Sequence, residues 1–171
     1  SSLNTSSGHP DGKTLWMIEN VQADTDSLYT NGSMLAYPRD LNLTDFFFAY
    51  GLRVNATLLQ DLYAAKIPLA TGNLGNKPQF QNLSWFYHPL VLGNPNHAIS
   101  KNILPVRLRF ANQIDTLQNN LKKTPLLMSS MLTKKVGTPA IIELNSIAKE
   151  PKEEEYSTGF QITGLLTEGV F

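Results

Sequence analysis

The sequence contains no cysteine. That absence excludes a disulfide framework, a thiolate metal site and a cysteine nucleophile within these residues. Lysine and arginine balance aspartate and glutamate, 14 against 14, so no net charge attracts nucleic acid or an anionic membrane. No apolar run approaches the roughly 20 residues that a membrane-spanning helix needs, and no signal-peptide pattern opens the chain. These absences predict a soluble protein that recognises its partners locally.

The motifs of common catalytic and metal sites are also missing. No Gly-x-Ser-x-Gly elbow occurs, and Ser129-Ser130, at the end of a predicted strand, have no other support as nucleophiles. Residues 8–14 fall one residue short of a phosphate loop and precede a strand, which predicts an ordinary turn. Residues 24–27 begin like a calcium loop but lack its glycine and late glutamate, and the three histidines share no ligand spacing. The sequence therefore predicts no catalytic residue, no metal and no cofactor.

The chain does have the means to build a core. Its 171 residues, 42% of them hydrophobic, predict a single soluble domain over residues 1–171. Residues 1–12, rich in serine, asparagine, glycine and proline, predict a loop or a frayed end. The absence of an initial methionine and an apolar run close to the last residue suggest a segment cut from a longer, membrane-anchored protein.

One short helix has the clearest start and stop. Asn42 is predicted as its N-cap, Asp45 supports the cap three residues later, and Gly51 ends it. Its apolar residues recur at helical spacing and are predicted to face a sheet: Leu43, Phe46, Phe47 and Tyr50.

Short apolar runs predict the strands of that sheet. Residues 13–19 form a nearly continuous run that predicts a central strand buried on both faces, and residues 106–110 alternate like a half-exposed strand. The proline within residues 64–70 favours an edge strand or an extended loop, and the proline within residues 85–92 favours an edge strand. Further strands are predicted at 124–130, 140–144 and 160–166. Residues 57–62 are consistent with either a strand or a helical turn. Long connections are predicted at 20–38 and 71–82.

These elements predict an α/β fold with a mostly parallel or mixed central sheet flanked by helices, a Rossmann-like three-layer sandwich. Ligands of such folds bind beyond the carboxyl ends of the strands. The polar residues at those positions are predicted to bind a ligand or partner: Glu19, Asp24, Asp26, Gln60 and Asp61. Arg39 and Asp40, just ahead of the helix cap, are added to this set.

Two further segments admit a structural and a functional interpretation. Trp85, Phe86 and Tyr87 could form a stacking platform for a sugar, which makes a glycan-binding module one alternative, although core packing is favoured. The charge run at residues 150–155 predicts a solvated loop.

Several phrases of the sequence together resemble a known family. They are residues 12–18, 39–52, 58–61, 67–69, 85–90, 106–115 and 123–127. The chain resembles the soluble ABC-transporter auxiliary domain of the gliding-motility-associated GldG components of Bacteroidetes-type bacteria, over about residues 12–170.

This resemblance implies a non-catalytic, substrate-binding-like domain of an inner-membrane protein, located in the periplasm or otherwise outside the cytoplasm. It implies an ABC permease and an ATPase as partners, an exported or surface substrate, and a fold distantly like class I glutamine amidotransferases. The catalytic cysteine of those amidotransferases has no counterpart here. An α/β hydrolase-like or amidotransferase-like enzyme, with residues that converge only in three dimensions, remains the other alternative.

Overall fold

The computed structural model describes residues 12–170. Of the loop predicted at residues 1–12, all but Gly12 lie outside this range, and Gly12 begins the first strand. Strands take up 49% and helices 13% of the structure, and every strand pair is antiparallel. The predicted helix-flanked α/β sandwich with a mostly parallel sheet is therefore wrong. Apolar runs are consistent with either sheet type, and they do not show which strands pair or in which direction. Residues far apart in sequence, such as Leu15 and Leu166, pair here in neighbouring antiparallel strands.

The strands are β1 (Gly12–Trp16), β2 (Val21–Ala23), β3 (Ser33–Pro38), β4 (Leu52–Val54), β5 (Thr57–Asp61), β6 (Ala64–Leu74), β7 (Lys77–Gly93), β8 (Val106–Arg107), β9 (Ile114–Thr116), β10 (Lys122–Met128), β11 (Thr133–Gly137), β12 (Ala140–Glu143) and β13 (Ile162–Gly169). The α-helices are α1 (Thr25–Asn31) and α2 (Thr44–Ala49), and 3₁₀ turns span Leu144–Ala148 and Glu153–Glu155.

The main sheet is six-stranded and curled, in the order β1-β13-β10-β7-β6, with β8 paired to β7. Strand β1 lies at an edge and leaves Leu15 54% exposed, so the predicted central strand buried on both faces is wrong. The proline-containing strand β6 is an edge strand, as predicted. Strand β7 is not, because it pairs with β6, β8 and β10 despite Pro89.

Strands β6 and β7 continue beyond the sheet as a two-stranded ribbon. Its outer pairs run from Ala70↔Phe80 to Leu74↔Lys77, so the predicted loop at residues 71–82 is wrong. The turn at Gly75 has a φ of 65°, which glycine adopts without steric cost. Polar residues here pair across the ribbon because backbone hydrogen bonds do not require an apolar side chain.

The remaining strands form three small antiparallel sheets, β12-β3-β2, β11-β5 and β4-β9. Residues 20–38, predicted as one connection, contain β2, α1 and β3. Helix α1 begins at its N-cap Asp24, whose carboxylate accepts from the backbone N–H groups of Asp26 and Ser27. It ends at Gly32 in the left-handed conformation.

The predicted helix over 42–51 exists, but it is shorter and its cap differs. Helix α2 begins after Leu43 without a side-chain cap, because Asn42 has a φ of 49°. Phe47 is buried, whereas Phe46 is 47% exposed. Phe46 and Tyr50 lie with their ring centroids 5.9 and 5.0 Å from that of Trp16, so the helix does cover part of the sheet.

Two apolar clusters lie inside the molecule. The larger joins residues of β2, α1, β3, β5, β6, β7 and β12 around Trp85 and Tyr87. The smaller joins Trp16 to Phe47, Leu52, Ile114 and Leu165. Residues 106–110 alternate in burial as predicted, since Phe110 is buried and the two arginines are exposed. The strand itself spans only two residues of this segment.

Candidate functional site

A cleft of about 290 Å³ opens where β5, β7 and β11 meet the segment that carries the two 3₁₀ turns. Its floor and wall are formed by six residues: Gln60, Trp85, Phe86, Tyr87, Lys134 and Tyr156. Its rim includes Lys149, Glu150, Lys152 and Glu155. Residues nearly 100 positions apart in sequence thus share one concave surface.

Aromatic rings and one amide form the floor. Tyr156 packs edge-on against Phe86 with ring centroids 5.8 Å apart, and its hydroxyl donates to Gln60 Oε1 at 3.1 Å. Gln60 also forms a side-chain hydrogen bond with Tyr87. The amide therefore links two buried phenols, which fixes the floor geometry.

The two phenols stay neutral at physiological pH. Burial is the main reason why the Tyr156 pKa rises to about 12, and the nearby Tyr87 and Glu155 raise it further. Burial also raises the pKa of Tyr87. These hydroxyls can hydrogen-bond a ligand, but their high pKa values make them poor proton donors to a reacting group.

Three lysines and two glutamates line the cleft. Lys134 forms an ion pair with Glu155, and its ammonium lies 6.0 Å from the centre of the Tyr156 ring. The hydrogen bond from Lys134 is the main cause of the lowered Glu155 pKa. Lys149 and Lys152 are exposed, and neither forms an ion pair with another residue of the described range 12–170. The rim therefore offers cationic groups to a ligand.

Trp85 adds a buried donor to this region. Its side chain is 2% exposed, and its indole N–H has no hydrogen-bond acceptor among residues 12–170. Unpaired buried donors are uncommon in folded proteins because each costs about 1–3 kcal/mol. By contrast, the indole N–H of Trp16 donates to Thr167 Oγ1 at 2.8 Å.

The structure places only one of the seven predicted site residues, Gln60, in this cleft. Most of these residues were chosen because ligands bind beyond the carboxyl ends of parallel strands. The sheets are antiparallel, so that rule does not apply to this fold. Ligand or partner binding by these residues stays a prediction.

The other predicted residues lie elsewhere. Glu19 and Arg39 form an exposed ion pair with a 3.0 Å distance between Oε1 and Nη2. Asp24 and Asp26 meet at the start of helix α1, where Asp24 is the N-cap. Asp40 is exposed in the loop ahead of helix α2.

Asp61 is fully buried and anchors the turn that contains Ser130. Its carboxylate accepts from the Ser130 backbone N–H at 2.8 Å, from the Ser130 hydroxyl at 2.6 Å and from the Tyr63 backbone N–H at 2.8 Å. Ser129 in turn donates to the Ser130 carbonyl oxygen. Among residues 12–170, the hydrogen bonds of these two serines involve no histidine or lysine, and their arrangement is that of a structural turn.

The stacking platform considered from the sequence is not exposed as a row. Trp85 and Tyr87 are 2% and 8% exposed, because both pack in the larger apolar cluster. The glycan-binding alternative loses the surface on which it depended. In the range 12–170, no three histidine, aspartate or glutamate side chains come together as a metal site, and no helix is long and apolar enough to span a bilayer.

Sequence reasoning missed most of the cleft. Tyr156 follows the charge run at residues 150–155, which is exposed, as expected for a solvated segment. Lys152 and Glu155 of this run also lie at the rim of the cleft. The signal in the sequence was an aromatic residue directly after an acidic run. The pairing of β5 with β11, which brings Gln60 opposite Lys134, had no signal in the sequence.

A family model described as an ABC-type uncharacterized transport system matches residues 10–171. This match spans nearly the whole chain and confirms the predicted auxiliary role in an ABC-type transport system. The chain has no significant similarity to a curated protein or to a solved structure.

Proposed function

This chain belongs to a family of auxiliary components of ABC-type transport systems, and we propose that it serves there as a non-catalytic recognition domain. In this proposal the domain lies outside the cytoplasm, as part of a membrane-anchored subunit. It works beside a separate permease and ATPase and holds an exported or surface substrate. Gliding motility or surface export, as in the GldG-like components that the sequence resembles, is the proposed process.

The observation that carries the proposal is the cleft itself. Its floor combines two neutral phenols, an amide and apolar rings, and its rim carries lysines. Such a surface can hold and orient a molecule through hydrogen bonds, ion pairs and apolar contact. Catalysis would require a nucleophile beside a base whose pKa suits proton transfer. Within residues 12–170 the cleft lining contains no histidine, and its serine, Ser146, donates its hydroxyl to the Glu143 carbonyl oxygen. The chemistry of the cleft therefore favours binding over turnover.

Affinity purification of the intact membrane protein tests the partner assignment. We expect a permease and an ATPase of the same transport system to purify with it at constant stoichiometry after detergent extraction. A second membrane protein of similar abundance, tagged and extracted in the same way, controls for nonspecific capture. Recovery of the protein without either subunit, under several detergents and after cross-linking in cells, would contradict the proposal.

Turnover assays test the non-catalytic assignment. Purified protein should release no product from ester, amide or nucleotide substrates above a heat-denatured control. Turnover that disappears in Tyr156→Phe or Lys134→Met, while both variants remain folded, would support the enzyme alternative instead.

A further inference from the structure

The hydrogen-bonding groups of the cleft are unequally paired. Tyr156 O–H already donates to Gln60 Oε1, and Lys134 is already paired with Glu155. What remains for a ligand is mainly donor capacity on two exposed ammonium groups, Lys149 and Lys152. Each ammonium has three N–H donors and no acceptor. A complementary ligand must therefore be rich in acceptors.

The net charge of the cleft lining is positive, which also favours a ligand rich in acceptors. Three lysines against two glutamates leave an excess of one positive charge in a chain whose formal net charge is zero. One of the glutamates, Glu155, already has its charge offset by Lys134. Glu150 is the acidic side chain on the rim that a ligand must avoid. A ligand with one negative charge balances the lining.

The volume of the cleft and the side chains of its wall narrow the class of ligand further. A volume of about 290 Å³ corresponds to roughly ten water molecules, which suits a small organic molecule better than a chain segment. Phe86 and Tyr156 provide an apolar wall for its body. Among residues 12–170, the lining contains no arginine and no α-helix N-terminus, which are the usual partners of a phosphate group. A carboxylate, in contrast to a phosphate, can be held by hydrogen bonds from only one or two ammonium groups.

We propose that this cleft binds a small organic carboxylate. Its apolar body lies against Phe86 and Tyr156, and its carboxylate is held by Lys149 and Lys152. This inference rests on the proposed function, because it names the chemical class of the molecule that the recognition domain holds.

The two tryptophans provide a direct test by NMR. Trp85 lines the cleft, whereas Trp16 belongs to the other apolar cluster and donates to Thr167. In ¹⁵N-labelled protein, titration with benzoate should shift the Trp85 indole signal saturably and leave that of Trp16 in place. The variant Trp16→Phe assigns the two signals.

Two further probes separate charge from shape. Benzamide has the same ring and nearly the same size but no charge, and it should bind at least about tenfold more weakly because it forms no charge-assisted hydrogen bond. Inorganic phosphate has charge without an apolar body, and it should shift the Trp85 signal less than benzoate at equal concentration. Equal responses to benzoate and benzamide would overturn the carboxylate assignment.

A double variant tests the rim. Lys149→Met with Lys152→Met keeps both side chains long but removes their charges, and it should weaken benzoate binding about tenfold or more. Lys101→Met is the matched control, because Lys101 is an exposed lysine outside the cleft lining. Benzoate binding that is unchanged in the double variant would refute the role of these lysines.

The outcome is separable from that of the proposed function. Loss of the benzoate response with retained permease and ATPase would refute the ligand class and leave the transport role intact. Benzoate binding by a protein that purifies without either subunit would support the ligand class and contradict the proposed transport role. Shifts that do not saturate, or that are equal for both tryptophans, would mean an adventitious additive only and would refute the site.

Discussion

His88 should make the fold sensitive to mild acid. Its imidazole is 2% exposed and lies between the rings of Trp85 and Phe110, with ring centroids 6.5 and 5.2 Å away. Nδ1 lies 3.1 Å from Nη2 of Arg107, which can only donate, so Nδ1 accepts and the proton of the neutral ring is on Nε2. Burial is the main cause that lowers the His88 pKa from 6.5 to about 4, and the charges of Arg107 and Arg109 lower it further.

The direction of the effect follows from proton linkage. Between pH 6.5 and 4 the unfolded chain binds a proton at His88 that the folded protein does not, so the stability from this site is complete above pH 6.5 and is lost as the pH falls. With pKa values of 6.5 and about 4, the free energy of unfolding decreases by about 2 kcal/mol between pH 7 and pH 5. The carboxyl groups of Asp115 and Glu168 have pKa values lowered from 3.8 and 4.5, so they titrate mainly below pH 5.

Urea unfolding at pH 7, 6 and 5, followed by tryptophan fluorescence, measures this change. His88→Asn keeps an acceptor for Arg107 and removes the titrating ring, so its free energy of unfolding should vary by less than about 0.5 kcal/mol over the same range. His97→Asn removes a half-exposed imidazole and should keep the dependence of the wild type, since His88 is still present. Equal slopes for the wild type and His88→Asn would refute the assignment of this pH dependence to His88.

Two further predictions concern stability at pH 7, measured by urea unfolding. Gly93→Ala should cost about 3 kcal/mol, since an added Cβ would lie 2.1 Å from the Ser100 carbonyl oxygen, whereas Gly137→Ala meets no atom within 4 Å and should change stability by less than about 0.5 kcal/mol. Asp61→Ala should cost about 3 kcal/mol because it leaves buried donors without an acceptor, while Asp40→Ala at an exposed site should be neutral. Similar losses for both members of either pair would contradict the structural explanation.

The sequence predicted local features better than their arrangement. Strands at 124–130, 140–144 and 160–166 appear at nearly these positions as β10, β12 and β13, because apolar runs of this length are extended in either kind of sheet. Their direction and neighbours depend on pairings far apart in sequence, such as Leu15↔Leu166 between β1 and β13. No local pattern encodes such a pairing, and the α/β prediction failed at this step.

The helix near residue 45 shows the same limit on a smaller scale. Its position was predicted from a cap, an apolar face and a glycine stop. Asn42 has the right side chain for a cap, but the incoming chain holds it in the left-handed conformation, so the first turn begins after Leu43. The apolar face was half right, because Phe47 is buried while Phe46 flanks Trp16 at the surface. Burial was thus set by the neighbouring edge strand rather than by helical spacing alone.

The candidate site was even less accessible from sequence. Gln60 was predicted to bind a ligand from its place after a strand, and it does line the cleft, but as a side chain within β5 of an antiparallel pair. The acidic run had the composition of a solvated loop, and only the burial of Tyr156 beside Phe86 places part of it at a concave surface. Positional rules for parallel sheets do not find sites of this kind.

The two tryptophans differ in whether their buried indole N–H group has a hydrogen-bond acceptor. In the smaller cluster the Trp16 indole N–H is paired with Thr167 across neighbouring strands. Trp85 belongs to the larger cluster and His88 packs against its ring. Trp85 Nε1 and His88 Nε2 are both buried without a partner among residues 12–170, and both residues belong to β7. Each such group costs about 1–3 kcal/mol, and proteins tend to tolerate that cost at functional sites. Because Trp85 also lines the cleft, the least satisfied part of the core lies against the surface proposed to bind the ligand.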